Sequence, residues 1–264
     1  MPLTVHLDDE LDAPGTRAEL ASLPHWLRAG GSTAAVRAVS GNRPNWTERV
    51  HAALTRETRA ILLSDVTPVD PASVRELAAT AEAAGVPVVV ASPWALNPAT
   101  LDAAEQLRAA APSSALVEAF TAHDVAPAKA LLAQLALLRT TVGDVTSLRL
   151  TRNDQHGHLG SARLADVPVH LSGVRSTAGP DTRLILRGRG EQWRVHFGDP
   201  ALARPATVIR IDENGEHLLP TVYETAHRAA WRHTHAATEG VTPPYTLHQL
   251  ADDLSLLPAG ALPR

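Results

Sequence analysis

The sequence predicts an α/β protein, with a Rossmann-like doubly wound parallel sheet followed by an α+β domain carrying an open antiparallel sheet. Three observations predict it. The first half alternates short apolar runs with helical segments, the rhythm of a parallel sheet wound on both sides. After Gly143 the apolar residues recur at period two: Leu148 and Leu150, Leu184 and Leu186, then Trp193, Val195 and Phe197. Asp212-Glu213-Asn214-Gly215 then reads as a hairpin turn between two strands. The change of rhythm divides the chain into 1–143 and 144–264.

Each element has a local reason. Thr4–Leu7 reads as a strand, Gly15–Ala29 as a helix, Thr33–Val39 as a strand and Trp46–Arg56 as a helix. Ala60–Leu63 is a third strand. Asp70 and Pro71 open a helix through Ala84, because Asp caps free amide groups and Pro fits the first turn. Gly85 ends it. Val86–Val90 is a continuous apolar run, as a strand covered on both faces requires. Thr100–Ala111 is helical, Ala115–Phe120 is a strand and Ala126–Thr140 is a helix. Helices at Thr221–Thr238 and Thr246–Leu257 close the chain.

The composition excludes several classes. Hydrophobic content of 44% and charged content of 20% over 264 residues suit an ordinary globular protein with a full core. A net charge of −4 argues against a nucleic-acid surface. Without cysteine there is no disulfide and no thiolate metal site. No secretory signal and no membrane-spanning run are visible, so a cytoplasmic location is expected. Abundant Ala, Arg and Pro beside a single lysine, Lys129, is the usage of a GC-rich bacterial genome.

The pair Asp166 and His170 is the strongest chemical signal. Four residues apart on a helix, a carboxylate and an imidazole share a face, so His170 would act as general acid/base with Asp166 orienting it. Asp166 just before Pro168 reads equally as a helix N-cap. His156 and His158 could share a strand face and bind a metal with Asp154 or His170; they read equally as a loop, and no metal is expected. His227, His233 and His235 read as an exposed helix face beside Trp231.

The order of these features resembles the Gfo/Idh/MocA oxidoreductases. Thr67-Pro68 after the third strand fits that family's Thr-Pro, Val88 through Ala95 fits its strand ending in Glu-Lys-Pro, and Gly160 through His170 fits its glycine-rich approach to Asp-x-x-x-His. Glu224–Leu257 fits its closing helices. The resemblance implies a domain for NAD(P), a sheet whose open face builds oligomers, and a substrate rim at Ser92 and Trp94. Ser40 and Arg43 after the second strand resemble members that take the 2′-phosphate of NADP, with Thr67 and Pro68 beside them; Gly41-Asn42-Arg43-Pro44 also reads as a simple turn.

Two departures bear on cofactor chemistry. The family's Gly-x-Gly-x-x-Gly turn lets backbone amides approach a pyrophosphate. Here the first turn, Leu7 to Gly15, holds Asp8, Asp9, Glu10 and Asp12 and one glycine. The lysine of Glu-Lys-Pro falls on Ser92. Three functions are therefore expected in this order: a cofactor-free, non-catalytic subunit or partner of an active oxidoreductase; a divergent NAD- or NADP-dependent oxidoreductase; and a lyase or isomerase using Asp166 and His170. The partner would be a second copy or an intact paralogous oxidoreductase, through the apolar face carrying Trp193, Val195 and Phe197.

Overall fold

The computed structural model describes residues 2–12, 14–23, 26–31, 33–199, 202 and 204–258. Its elements in chain order are β1 (Leu3–Leu7), α1 (Pro14–Ala21), β2 (Leu27–Ala29), β3 (Val36–Ser40), α2 (Trp46–Ala53), β4 (Ala60–Ser64), α3 (Pro71–Ala83) and β5 (Val88–Val90). Then come α4 (Pro98–Ala109), β6 (Ser114–Ala122), α5 (Pro127–Thr141), β7 (Ser147–Asp154), β8 (Gly157–Leu164), β9 (Val167–Ser176) and β10 (Asp181–Arg187). The chain closes with β11 (Gln192–Phe197), β12 (Thr207–Asp212), β13 (Gly215–Leu218), α6 (Ala226–Ala237) and α7 (Leu247–Leu256). Contacts group it into two units: Met1–Ser92 with Ala226–Ser255, and Pro93–Thr225.

The first unit is built on a five-stranded parallel sheet in the order β2-β1-β3-β4-β5. Every residue of β4 and β5 is buried, which is why Ala60–Leu63 and Val88–Val90 are continuously apolar. Asp70 caps α3 as its sequence suggests, accepting a hydrogen bond from the Ala72 amide at 3.1 Å, and Gly85 leaves the helix at φ +66°. The helix expected over Gly15–Ala29 ends at Ala21, and Leu27–Ala29 forms the edge strand β2 instead. Helix α6 packs on β4, β5 and α1, and Tyr245 ahead of α7 accepts a hydrogen bond from the Val90 amide.

The second unit is an eight-stranded sheet in the order β13-β12-β11-β10-β6-β9-β8-β7. Only the β6–β9 pair is parallel. The expected boundary after residue 143 is corrected here. Strand β6, read as part of the first sheet, lies in the middle of the second, between β10 and β9. Helices α4 and α5 go with it: α5 packs on β6, β8 and β9, and α4 on β12 and α5. The closing helices belong to the first unit.

A second correction concerns the faces of this sheet. Trp193, Val195 and Phe197 are only 3%, 1% and 5% exposed, with Leu184, Leu186 and Val208 buried on the same side. They form the face toward the helices, because α4 and α5, counted with the first half in the sequence, are available to cover it. The open face carries the alternate residues, among them Leu116, Glu118 and Phe120 of β6, His170 and Val174 of β9, and Arg183, Ile185 and Arg187 of β10.

Candidate functional site

In the first sheet the chain steps outward from β1 to β2, then the other way from β3 to β4 and β5. The reversal between β1 and β3 opens a crevice at the carboxyl ends of the strands, the usual ligand position of a doubly wound sheet. Two turns border it. One is the acidic turn after β1, where the Asp8 amide extends the pairing to the Ala38 carbonyl at 3.0 Å. The other runs from Ser40 into α2.

These turns are joined by ion pairs. Asp8 pairs with Arg49 of α2; Glu10 pairs with Arg43 and lies 3.5 Å from the Arg49 guanidinium. The Arg49 and Asp8 side chains are 23% and 19% exposed, so the pair is partly withdrawn from solvent screening. Arg49 also donates to the Ser40 carbonyl at 3.3 Å. Asp12 is held by Arg17 of α1, which pulls its carboxyl below the usual carboxylate range. Asp9 is exposed, and Ala13 of the expected turn lies outside the described residues.

The residues proposed for NADP have structural work of their own. Arg43 faces Glu10. Ser40 is buried and accepts from the Asn42 amide at 3.3 Å. The Thr67 amide donates to the Gly41 carbonyl at 2.7 Å, and its hydroxyl donates to the Asn42 carbonyl at 2.9 Å. Pro68 is buried beside it. A side chain at Gly41 would meet the Val66 Cα at 2.8 Å, so only glycine lets these strand ends approach so closely. This donor set does not fit a pyrophosphate, which would have to displace Asp8 and Glu10 from the arginines and then lie beside them. Arg49 was not singled out in the sequence, since nothing local pairs it with a turn some forty residues earlier.

The substrate-rim residues fall in different units. Ser92 follows β5, is 6% exposed, and its hydroxyl has no partner among the described residues. Trp94, in the turn before α4, is half-buried, and its carbonyl accepts from the Thr100 hydroxyl at 2.7 Å.

The helical spacing expected for Asp166 and His170 is not found. Among the described residues no helix lies between Ser147 and Phe197. Asp166 sits in the two-residue turn of the β8–β9 hairpin, behind Ala165 at φ +48°. His170 is four residues along β9, between Ser161 and Leu116 of the neighbouring strands. Four residues of extended chain span roughly 13 Å, and both side chains are exposed. The period-two burial of Gly160, Ala162, Leu164, Val169 and Leu171 is the signal for this hairpin.

The histidine expectations change as well. His156 is exposed in the turn before β8, whereas His158 is 3% exposed on the helix side, so they share no face. No group of three or more metal-ligating side chains occurs among the described residues. On α6, His227 pairs with Glu19 and His235 lies 4.6 Å from the Trp26 ring; these faces are packed rather than open. Burial lowers the His233 pKa. No helix among the described residues is long and apolar enough to cross a membrane.

No protein-family model matches this chain, and no curated protein matches it in sequence. Solved structures do match in fold. A UDP-N-acetylglucosamine 3-dehydrogenase from Acidithiobacillus ferrooxidans superposes with a TM-score of 0.74 at 13% identity, covering 97% of this chain and 95% of that one. A dehydrogenase from Clostridium difficile gives 0.72 at 8% identity, covering 97% of each chain. A variant of the 3-ketoreductase KijD10 from Actinomadura kijaniata, in complex with TDP-benzene and NADP, gives 0.72 at 13%, covering 97% and 96%. The chain therefore has the fold of the Gfo/Idh/MocA-type oxidoreductases.

Proposed function

We propose that this chain is a cofactor-free, non-catalytic, cytoplasmic protein of oxidoreductase fold that works as a subunit or partner. One observation carries the reading: the crevice at the β1–β3 reversal is spanned by the Asp8–Arg49 and Glu10–Arg43 pairs. The cations best placed to attract a dinucleotide phosphate are neutralised by the chain itself. Added to this, Ser92 stands where a lysine would touch cofactor and substrate. The lyase or isomerase reading loses the shared face on which it rested, since Asp166 and His170 stand apart on a hairpin.

A second reading is a divergent NAD(P)-dependent oxidoreductase. It draws on the NADP held by the KijD10 neighbour and on the position of Ser40 and Arg43 beside the crevice. Calorimetric titration with NAD(H) and NADP(H) decides between the two. The cofactor-free reading expects no saturable binding of any of the four. A micromolar dissociation constant for one of them overturns it in favour of the second.

A further inference from the structure

One end of the open face of the eight-stranded sheet is lined with arginine. Across the strands from β11 to β7 the register sets Arg194, Ile185, Leu116, His170, Ser161 and Arg149 in one line. One pleat nearer the β10–β11 turn, Arg187 lies beside Ser114 and Arg163 beside Pro168. All four arginines are exposed. Arg149, Arg163 and Arg187 have no side-chain partner among the described residues. Arg194 donates to the Gln192 side-chain oxygen at 2.6 and 3.0 Å and lies 3.9 Å from Glu216. The amide holds this guanidinium in place without cancelling its charge.

Carboxylates are marginal to this band. Glu216 is on the edge strand β13, and Asp166 stands in the β8–β9 turn. Glu191 is taken up by Arg210, beside Trp193 on the covered side. Glu118 and Asp181 lie one and two pleats away, toward the other end of the strands, where Asp181 holds Arg183 and His196. The middle of the band is aliphatic. Ile185 and Leu116 are neighbours, and a depression of about 390 Å³ lies over Ile185 and Ile209, with Arg187 and Arg194 among its walls.

We propose that this band docks an extended acidic segment of another protein, its carboxylates on the four arginines and an aliphatic side chain in the depression. The band crosses six strands, and their ~4.8 Å spacing makes it roughly 24 Å long. A single phosphate or other small anion is too short to reach both sides. About seven or eight residues of extended chain span it at ~3.3 Å each, and their alternating side chains meet guanidinium and isoleucine in turn. Single-stranded nucleic acid gains its hold from aromatic platforms as well as cations. No Phe, Tyr or Trp among the described residues lies in the band, since Phe120 is two pleats from Leu116 along β6. The chain's own densest acidic run is already occupied, with Asp8, Glu10 and Asp12 held by Arg49, Arg43 and Arg17, so a second copy is the poorer match. The inference rests on the partner half of the function proposed above and is independent of its cofactor half.

Fluorescence anisotropy on the full chain tests it, with a labelled peptide of alternating glutamate and leucine, about eight residues long, as the probe. A micromolar dissociation constant is expected at low salt, weakened about tenfold in ~0.5 M salt because exposed charges are screened. The same peptide with glutamine for glutamate should not bind. Arg163→Glu and Arg187→Glu, on either side of the aliphatic centre, should each weaken binding about tenfold, with far-ultraviolet circular dichroism unchanged. Arg56→Glu makes the same charge change on an exposed residue of the first unit and should leave binding unchanged. No saturable binding, equal binding of the glutamine peptide, indifference to both band changes, or an equal loss in Arg56→Glu overturns the proposal. So does tighter binding of an oligouridylate of similar length, which would make the face a nucleic-acid surface. Failure of the peptide to bind leaves the cofactor-free reading standing, and the cofactor titration has no bearing on the peptide result.

Discussion

His158 of β8 and Gln134 of α5 are joined by a 2.7 Å hydrogen bond that fixes the state of both groups. The Gln134 amide nitrogen donates to the Ser172 carbonyl at 2.7 Å, so its oxygen must be the acceptor toward His158. His158 therefore carries its hydrogen on Nε2, and its Nδ1 is a bare acceptor, buried without a partner among the described residues. The ring occupies the space over Gly173, where a Cβ would come within 2.2 Å of it.

This arrangement predicts an acid-sensitive fold. Burial lowers the His158 pKa from 6.5 to about 4. The unfolded chain takes up the proton below pH 6.5 and the folded chain only near pH 4, so stability falls as pH drops through that window. The loss is on the order of 3 kcal/mol. Urea denaturation at a series of pH values should show it, and His158→Leu should flatten that part of the profile. An identical pH slope in wild type and variant would remove His158 as the cause.

Gly173→Ala should destabilise the second unit by about 1–3 kcal/mol, the cost of forcing a methyl into a filled site. The same change in a His158→Ala background should cost much less, because the ring that blocks the methyl is gone. A double-mutant cycle read by urea unfolding measures the difference. Additive effects would mean that the strain comes from elsewhere.

Arg49→Met should cost about 1–2 kcal/mol, since it leaves Asp8 with no guanidinium in a partly buried place. The reverse experiment frees the cations. In Asp8→Asn combined with Glu10→Gln, Arg43 and Arg49 lose their anions, and inorganic phosphate should raise the melting temperature of the variant but not of the wild type. Equal response of both proteins would show that the carboxylates do not occupy the arginines.

Tyr245→Phe should cost about 1–3 kcal/mol. The Tyr245 hydroxyl donates to Asp253 at 2.7 Å, and the two residues are 1% and 0% exposed. Thermal or urea unfolding reads the loss. A neutral substitution would mean that water reaches Asp253.

The sequence by itself determined what depends on neighbours along the chain. It placed β1, β4, α3 with its Asp70 cap, the Asn214-Gly215 turn and the period-two strands β10 and β11, because caps, turns and burial period are local properties. It also marked Trp193, Val195 and Phe197 as one apolar face, expected to be open to a partner. Tertiary structure alone decided what covers that face and which strands meet. Strand β6 reads like any strand of the first sheet, yet it pairs with β9 more than fifty residues later, and it carries α4 and α5 with it. The stretch from Gly160 to His170 reads as helical, with Asp166 and His170 on one face or Asp166 as a cap, until pairing with β6 and β7 fixes it as strand. The acidic turn and Arg49 are each ordinary in sequence; only the reversal of strand order between β1 and β3 brings opposite charges together across the crevice.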